Sequence, residues 1–256
     1  MLPIYIFIFI LGLCIGSFLN VVIDRLSFDR SLNGRSKCDH CGKTLKAKNL
    51  FPVVSYLAQK GRSTCCNKKL SIYYPVVELI TGTAFLAIIM LVFQQGFEHV
   101  QLMKVFGLLG IVSSLIVIFF ADVKYHIIPD EATVAIVLFS FAHEFSEGIL
   151  HHFVAGVIFF TAFYVLYFIT KKKGIGFGDV KLAFAIGFLL GLKAGFIAIY
   201  LAFILGGIVS IFLLLTHKKK RRAMIAFGPF LVIGTVVMLF FSQQIIAVVH
   251  QLFGIL

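Results

Sequence analysis

Ile116-Val117-Ile118-Phe119-Phe120-Ala121 closes an apolar run that begins near residue 103 and stops at Asp122. A run of roughly 20 apolar residues is what a helix needs to cross the hydrocarbon core of a bilayer. Working outward, seven further runs lie at about 2–23, 73–95, 131–146, 153–170, 180–192, 194–216 and 226–248. Of the 256 residues 60% are hydrophobic and only 13% charged, with a mean hydropathy of +1.03. One buried core would leave most of these runs with nowhere to face. The predicted fold is therefore all-α, a polytopic membrane helix bundle of about eight transmembrane helices. The sixth run is interrupted near Gly191-Leu192-Lys193, which leaves seven spans as the alternative count.

The net charge of +12 is clustered. Eleven of the 23 basic residues lie between Arg25 and Lys69. Lys171, Lys172 and Lys173 form a second group, and Lys218, Lys219, Lys220, Arg221 and Arg222 a third. Basic clusters between apolar runs follow the positive-inside rule for cytoplasmic loops. They do not call for a nucleic-acid partner; anionic lipid headgroups are the expected one. With loop 24–72 inside, eight spans also put 122–130, 171–179 and 217–225 inside, where both remaining clusters fall. No Lys or Arg precedes Arg25, so 2–23 reads as a retained first helix rather than a secretory signal. The expectation is a multi-pass protein of the inner or plasma membrane. Its divisions are a first helix at 1–23, a small cytoplasmic cysteine-containing loop domain at 24–72, and a membrane core at 73–256.

Two carboxylates sit beside spans. Asp122 ends its run, and Asp179 follows Gly176-Phe177-Gly178 just before another, 57 residues later. Ionisable groups near membrane depth are costly and mark function. In this topology both lie at the cytoplasmic boundary. Two close carboxylates share a proton, so one activates water while the other protonates a carbonyl. The pair titrates as a unit, which leaves the assignment of roles open. Gly176 and Gly178 permit close approach of a substrate backbone and positive φ. The bland reading makes Asp179 a favourable charge at a helix N-terminus. Asp130 in Pro129-Asp130-Glu131-Ala132 reads as a helix start.

Loop 24–72 is too small for a core of its own and needs a staple. Cys38-Asp39-His40-Cys41 is a CxxC, and Cys65-Cys66 follows. Four thiols in one cytoplasmic loop suit tetrahedral zinc rather than disulfides. Adjacent cysteines strain a chelate, so His40 in place of one thiol is the alternative. No internal repeat is evident. Cys14, within a span, reads as a small buried apolar residue. Asn20 within the first span and Glu78 one turn into the second are polar groups at membrane depth. Each has a packing reading and a sharper one as a substrate or cofactor contact.

Together these residues resemble the type IV prepilin leader peptidase family. The matching pieces run in order. They are Gly16-Ser17-Phe18-Leu19-Asn20 with Arg25-Leu26, Cys38-x-x-Cys41, and Asn49-Leu50-Phe51-Pro52-Val53-Val54-Ser55-Tyr56-Leu57 with Gly61-Arg62. Then come Tyr74-Pro75-Val76-Val77-Glu78-Leu79, Asp122 with Ile128-Pro129-Asp130, Gly176-x-Gly178-Asp179-Val180-Lys181, and Phe227-Gly228-Pro229-Phe230. The resemblance implies an aspartic endopeptidase that removes the basic leader of type IV prepilins or pseudopilins after a Gly. Cleavage would occur at the cytoplasmic membrane face, in pilus, competence or secretion systems. It implies Asp122 and Asp179 as the catalytic pair, with Asp122 favoured over Asp130 because the latter position varies to Asn. It further implies N-methylation of the new N-terminus from S-adenosylmethionine, an activity associated with the cysteine-bearing loop; Asn20 and Glu78 stand as substrate or methyltransferase contacts. Cys38, Cys41, Cys65 and Cys66 are the expected zinc ligands. One departure stands out: Ser63 occupies the place of the first cysteine of a second CxxC, Cys66 the second, and Cys65 is extra. Other GxGD peptidases share Gly176-Phe177-Gly178-Asp179 but carry a Pro-Ala-Leu motif that this chain lacks. From another class, a transporter would use Asp122 and Asp179 as a proton or cation relay.

Overall fold

A computed structural model describes residues 2–94, 102–142, 148–171, 174–216 and 226–253. These residues form helices and no strand. The helices are α1 (Leu2–Leu26), α2 (Val54–Ala58), α3 (Tyr73–Gln94) and α4 (Leu102–Tyr125), then α5 (Asp130–Ser140), α6 (Ile149–Ile169), α7 (Phe177–Leu215) and α8 (Gly228–Phe253). All but α2 and α5 are long and apolar enough to cross a membrane, six in total. Large apolar side chains such as Phe7, Phe106, Phe196 and Phe212 point outward, as they do on a surface solvated by lipid. The protein is a multi-pass membrane protein.

Three predicted boundaries shift. The sixth and seventh runs form one helix, α7, of 39 residues. At 1.5 Å per residue it is roughly 58 Å long, about twice a bilayer's hydrocarbon core. It is broken at Gly191, whose φ of 74° and ψ of −175° are not helical, at the interruption visible in the sequence. The fourth run is shorter than expected: α5 has 11 residues and a turn follows at 141–142. Residues 143–146 of that run lie outside the described residues. Finally, α4 continues to Tyr125, so Asp122 lies within its last turn rather than beyond it. Lys172, Lys173 and the cluster from Lys218 to Arg222 also lie outside the described residues.

The chain divides into two compact units, residues 1–117 and 118–256. In the first, α1 and α3 meet backbone to backbone. A Cβ on Gly12 would lie 2.8 Å from the Gly82 Cα, and one on Gly16 2.7 Å from the Glu78 Cα. This is small-xxx-small packing, which matters in lipid because no hydrophobic effect drives helices together there. In the second unit, α5, α6 and α8 each pack on α7. Gly187 faces the Ala155 carbonyl, Gly195 the Phe159 ring and Gly234 the Ala198 backbone. His152 of α6 is buried beside the α7 break, and its Nδ1 lies 3.0 Å from the Phe188 carbonyl. A carbonyl only accepts, so Nδ1 carries the proton.

Candidate active site

Asp179 is the third residue of α7, after the N-cap Gly176. Its Oδ2 accepts the Gly176 N–H at 2.9 Å. A carboxylate at this position reaching back to the N-cap is half of a capping box, so the bland reading of Asp179 describes one of its oxygens. The other, Oδ1, is buried and has no hydrogen-bond partner. A bare buried acceptor is destabilising by about 1–3 kcal/mol unless a donor reaches it. Sacrificing that energy for capping alone has no rationale, because an exposed carboxylate caps equally well.

Asp122 reaches the same part of the second unit from α4. Its Oδ2 accepts the N–H of Gly228, the first residue of α8, at 2.9 Å. The side chain of Ile128, in the α4–α5 connection, lies against both glycines that carry the site. A Cβ on Gly178 would meet Ile128 at 2.9 Å, and one on Gly228 would meet it at 3.2 Å and Asp122 Oδ2 at 2.6 Å. Asp122 and Asp179 are close enough to act on one another electrostatically. Asp122 is 5% exposed and Asp179 7%. The fold thus brings together two buried carboxylates, each with one oxygen fixed by a backbone N–H.

The glycines act through space rather than through φ. Gly176 has a φ of −76°, and neither it nor Gly178 uses the positive φ that glycine permits. Gly178 is needed because Ile128 fills the room a side chain would take. Asp130 opens α5 behind the N-cap Pro129, as the sequence suggested. It is 62% exposed on its side chain, and both of its oxygens bind Lys181 Nζ, at 2.7 and 2.6 Å.

In the first unit the cysteines form one cluster. The four Sγ atoms of Cys38, Cys41, Cys65 and Cys66 lie within 4.8 Å of one another and are able to hold a metal ion. Cys41 and Cys65 are 3.2 Å apart and Cys38 and Cys66 3.8 Å. Thiolates around tetrahedral zinc sit about 3.8 Å apart, from a Zn–S bond of about 2.3 Å, so the donor set fits. His40 turns away, its Nε2 lying 3.1 Å from the Lys69 carbonyl.

The loop contains a repeat that the sequence conceals. A bridge joins Lys37 to Thr44 and another joins Arg62 to Lys69. Within the first, Cys38 N–H bonds the Lys43 carbonyl and Gly42 N–H the Cys38 carbonyl. Within the second, Ser63 N–H bonds Lys68 and Asn67 N–H bonds Ser63. Gly42 and Asn67 both take positive φ, at 69° and 55°. Every element recurs after 25 residues, so Ser63 is the structural counterpart of Cys38, and Cys66 of Cys41. Ser63 Oγ is 3.4 Å from Cys38 Sγ and 3.0 Å from Cys65 Sγ. That hydroxyl lowers the Cys38 thiol to about 6, against the upward push of burial and helped by the His40 and Cys41 backbone.

Asn20 and Glu78 also lie in the first unit. Glu78 is buried, and its Oε2 accepts the Val53 N–H at 2.7 Å. Val53 has a φ of 58°, strained for a β-branched residue. Both acidic and amide side chains line a cavity discussed below. Sequence reasoning gave Gly228, Ile128 and Val53 no role of their own, and Ser63 none beyond standing where a cysteine was expected. The available signals were the quoted motifs that contain Gly228, Ile128 and Val53, and the displaced cysteine at Ser63.

Residues 10–92 match the family model described as the bacterial peptidase A24 N-terminal domain, and residues 109–211 that of the type IV leader peptidase family. The chain is 30% identical to a prepilin leader peptidase/N-methyltransferase of Pectobacterium carotovorum, over 89% of this chain and 89% of the relative. It is 28% identical to one of Bacillus subtilis, over 94% and 95%. No solved structure is a significant match.

Proposed function

The chain belongs to the type IV leader peptidase family, and on that premise we propose that it removes the basic leader of type IV prepilins or pseudopilins, with Asp122 and Asp179 as the catalytic pair. One observation carries the reading. Two buried carboxylates from separate helices are each held by one backbone N–H, and Asp179 keeps an oxygen with no partner. That oxygen is free to hold a proton, a water or the substrate carbonyl. One carboxylate activates water and the other protonates the leaving amine, as two neighbouring carboxylates sharing a proton do. Gly176 and Gly178 support the pair by fixing Asp179 and by making room for Ile128. Cleavage takes place after a Gly, at the cytoplasmic face of the inner or plasma membrane. The relay reading as a transporter finds no support among the relatives.

The relatives are named as N-methyltransferases as well, and we extend that activity to this chain. S-adenosylmethionine would supply an electrophilic methyl group. Asn20 and Glu78 would take part in that step, and loop 24–72 would house it. Zinc on Cys38, Cys41, Cys65 and Cys66 would staple the loop, with residues 73–256 forming the peptidase core.

The test is cleavage in membranes of a prepilin with a Gly–Phe junction, by wild type, Asp122→Asn, Asp179→Asn and Asp130→Asn. Loss in the first two variants with Asp130→Asn still active is the expected result. Full processing by Asp122→Asn or Asp179→Asn, with wild type cleaving, would overturn the pair.

A further inference from the structure

A cavity of about 510 Å³ lies within the first unit, where the loop meets α1 and α3. Its helical wall includes Ser17, Asn20 and Glu78. From the other side α2 supplies Ser55 and Tyr56, and its C-cap Gln59 follows. The polar side chains of α2 therefore turn inward, toward the spans. Its apolar ones turn outward: Val54 is 66% exposed and Leu57 67%. Three residues apart, they share one helix face. Phe51, in the turn that leads into α2, is 64% exposed. A helix folded against water shows the opposite arrangement, with its apolar face on the protein and its polar face outside.

The depth of α2 follows from its anchor. Its N-cap Val53 donates to Glu78 Oε2 at 2.7 Å. Glu78 is the sixth residue of α3, roughly 7.5 Å in from the start of that helix. On the facing helix its Cα packs on Gly16, which lies roughly 15 Å before the end of α1 at Leu26. Val53 is thus held against the last turns of one span and the first turns of the next, not above them. The charge around it has one sign. From residue 40 to residue 77 the chain has seven Lys or Arg and no Asp or Glu. Lys46, Lys48, Lys60 and Arg62 flank the segment and are exposed. An apolar face in a basic frame, at the level where spans meet the headgroups, is complementary to an anionic bilayer. A soluble protein would have to reach below the span ends to cover it.

We propose that residues 50–58 form a membrane-interface segment. Phe51, Val54 and Leu57 insert among the acyl chains of the leaflet on the loop's side, while Lys46, Lys48, Lys60 and Arg62 bind its anionic headgroups. The loop and its thiol cluster are thereby tethered to the bilayer at a third point besides α1 and α3. Such seating is independent of the reaction proposed above.

The chain contains no Trp, so a single introduced Trp reports on one position. Phe51→Trp, Val54→Trp and Leu57→Trp are placed as full chains in lipid nanodiscs of phosphatidylcholine, with and without phosphatidylglycerol. Lys68→Trp, at an exposed loop position, is the reference. Emission is read with lipids brominated near the carbonyl end of the acyl chain and with aqueous acrylamide. The expected result at the three positions is blue-shifted emission that is mostly lost to brominated lipid and little affected by acrylamide, with the reverse at Lys68→Trp. Quenching of the three positions by acrylamide alone would overturn the proposal. Protection from both quenchers would mean that protein covers the face, and protection that arises only when a prepilin is added would assign the face to substrate; either overturns lipid insertion. Trp has its own preference for the interface, so Phe51→Trp is repeated together with Val54→Ser and Leu57→Ser. Its quenching by brominated lipid is expected to fall, and unchanged quenching would overturn the role of Val54 and Leu57. Phosphatidylglycerol is expected to increase lipid quenching of Val54→Trp, and Gln at Lys46, Lys48 and Lys60 to abolish that increase. No increase in Val54→Trp itself would overturn the headgroup assignment.

Discussion

The backbone N–H of Gly228 donates to Oδ2 of Asp122 at 2.9 Å, joining residues 106 apart in the chain. The start of α8 thereby fixes a carboxylate on α4. A methyl group on Gly228 would lie 2.6 Å from the same oxygen. The carboxylate would have to move and give up its bond. Misplacing a catalytic group by about 1 Å costs on the order of 100-fold in rate. Gly228→Ala is therefore expected to lower prepilin cleavage by roughly that factor while the protein still inserts and purifies. A cleavage time course in membranes at matched expression checks this, and wild-type rates in Gly228→Ala would remove Gly228 from the site.

Asp130 and Lys181 form an exposed pair, with both carboxylate oxygens on one ammonium. Exposed pairs contribute about 1 kcal/mol or less. Asp130→Asn and Lys181→Met are each expected to retain cleavage within a few-fold of wild type, and the double variant to lose no more than the worse single one. Cleavage assays on the four members of this cycle test it. A loss in Asp130→Asn as large as that in Asp122→Asn would make Asp130 part of the chemistry.

His152 donates from Nδ1 to the Phe188 carbonyl, close to the break in α7 at Gly191. Backbone groups at a helix break lose their regular partners, and an unsatisfied buried carbonyl is destabilising by about 1–3 kcal/mol. His152→Leu fills similar space without the donor and is expected to lower stability by that amount, read from denaturation of the purified protein in mixed detergent. Gly191→Ala is expected to destabilise as well, because its φ of 74° is unfavourable for a residue with a Cβ.

The displaced cysteine gives a prediction about metal. Cys65→Ser is expected to abolish stoichiometric zinc and the cobalt–thiolate charge-transfer band. Ser63→Ala is expected to keep both, because Ser63 supplies a hydrogen bond rather than a ligand. In metal-free protein, Ser63→Ala removes the largest influence lowering Cys38, so its thiol is expected to titrate above the present value of about 6. Alkylation near pH 7 should slow accordingly. Loss of bound metal in Ser63→Ala but not in Cys65→Ser would restore Ser63 as a member of the ligand set.

Much of this was legible in the chain itself. Long apolar runs bounded by charge leave a bilayer as their only solvent, so the all-helical membrane fold follows from composition and spacing. The motif Gly176-Phe177-Gly178-Asp179 and the position of Asp122 nominated the two carboxylates. Span ends were less legible. Hydropathy stops at a charged residue, whereas the backbone hydrogen bonds of α4 continue for another turn. The short α5 was overestimated for a related reason, since apolar composition does not say where a helix stops.

What only the tertiary structure decided is partnership. Gly228 lies 106 residues from Asp122, Glu78 lies 25 residues from the strained Val53, and neither pairing leaves a periodic trace. The second knuckle escaped notice because its repeat resides in hydrogen bonds and positive φ, while Ser63 and Asn67 replace the Cys and Gly that would announce it. The sequence by itself determined the solvent this chain folds in and the ionisable groups it places there. Solvent preference is a sum over local side chains and can be read locally. The geometry of the carboxylates, the thiols and the cavity depends on backbone atoms that come together only when distant helices pack.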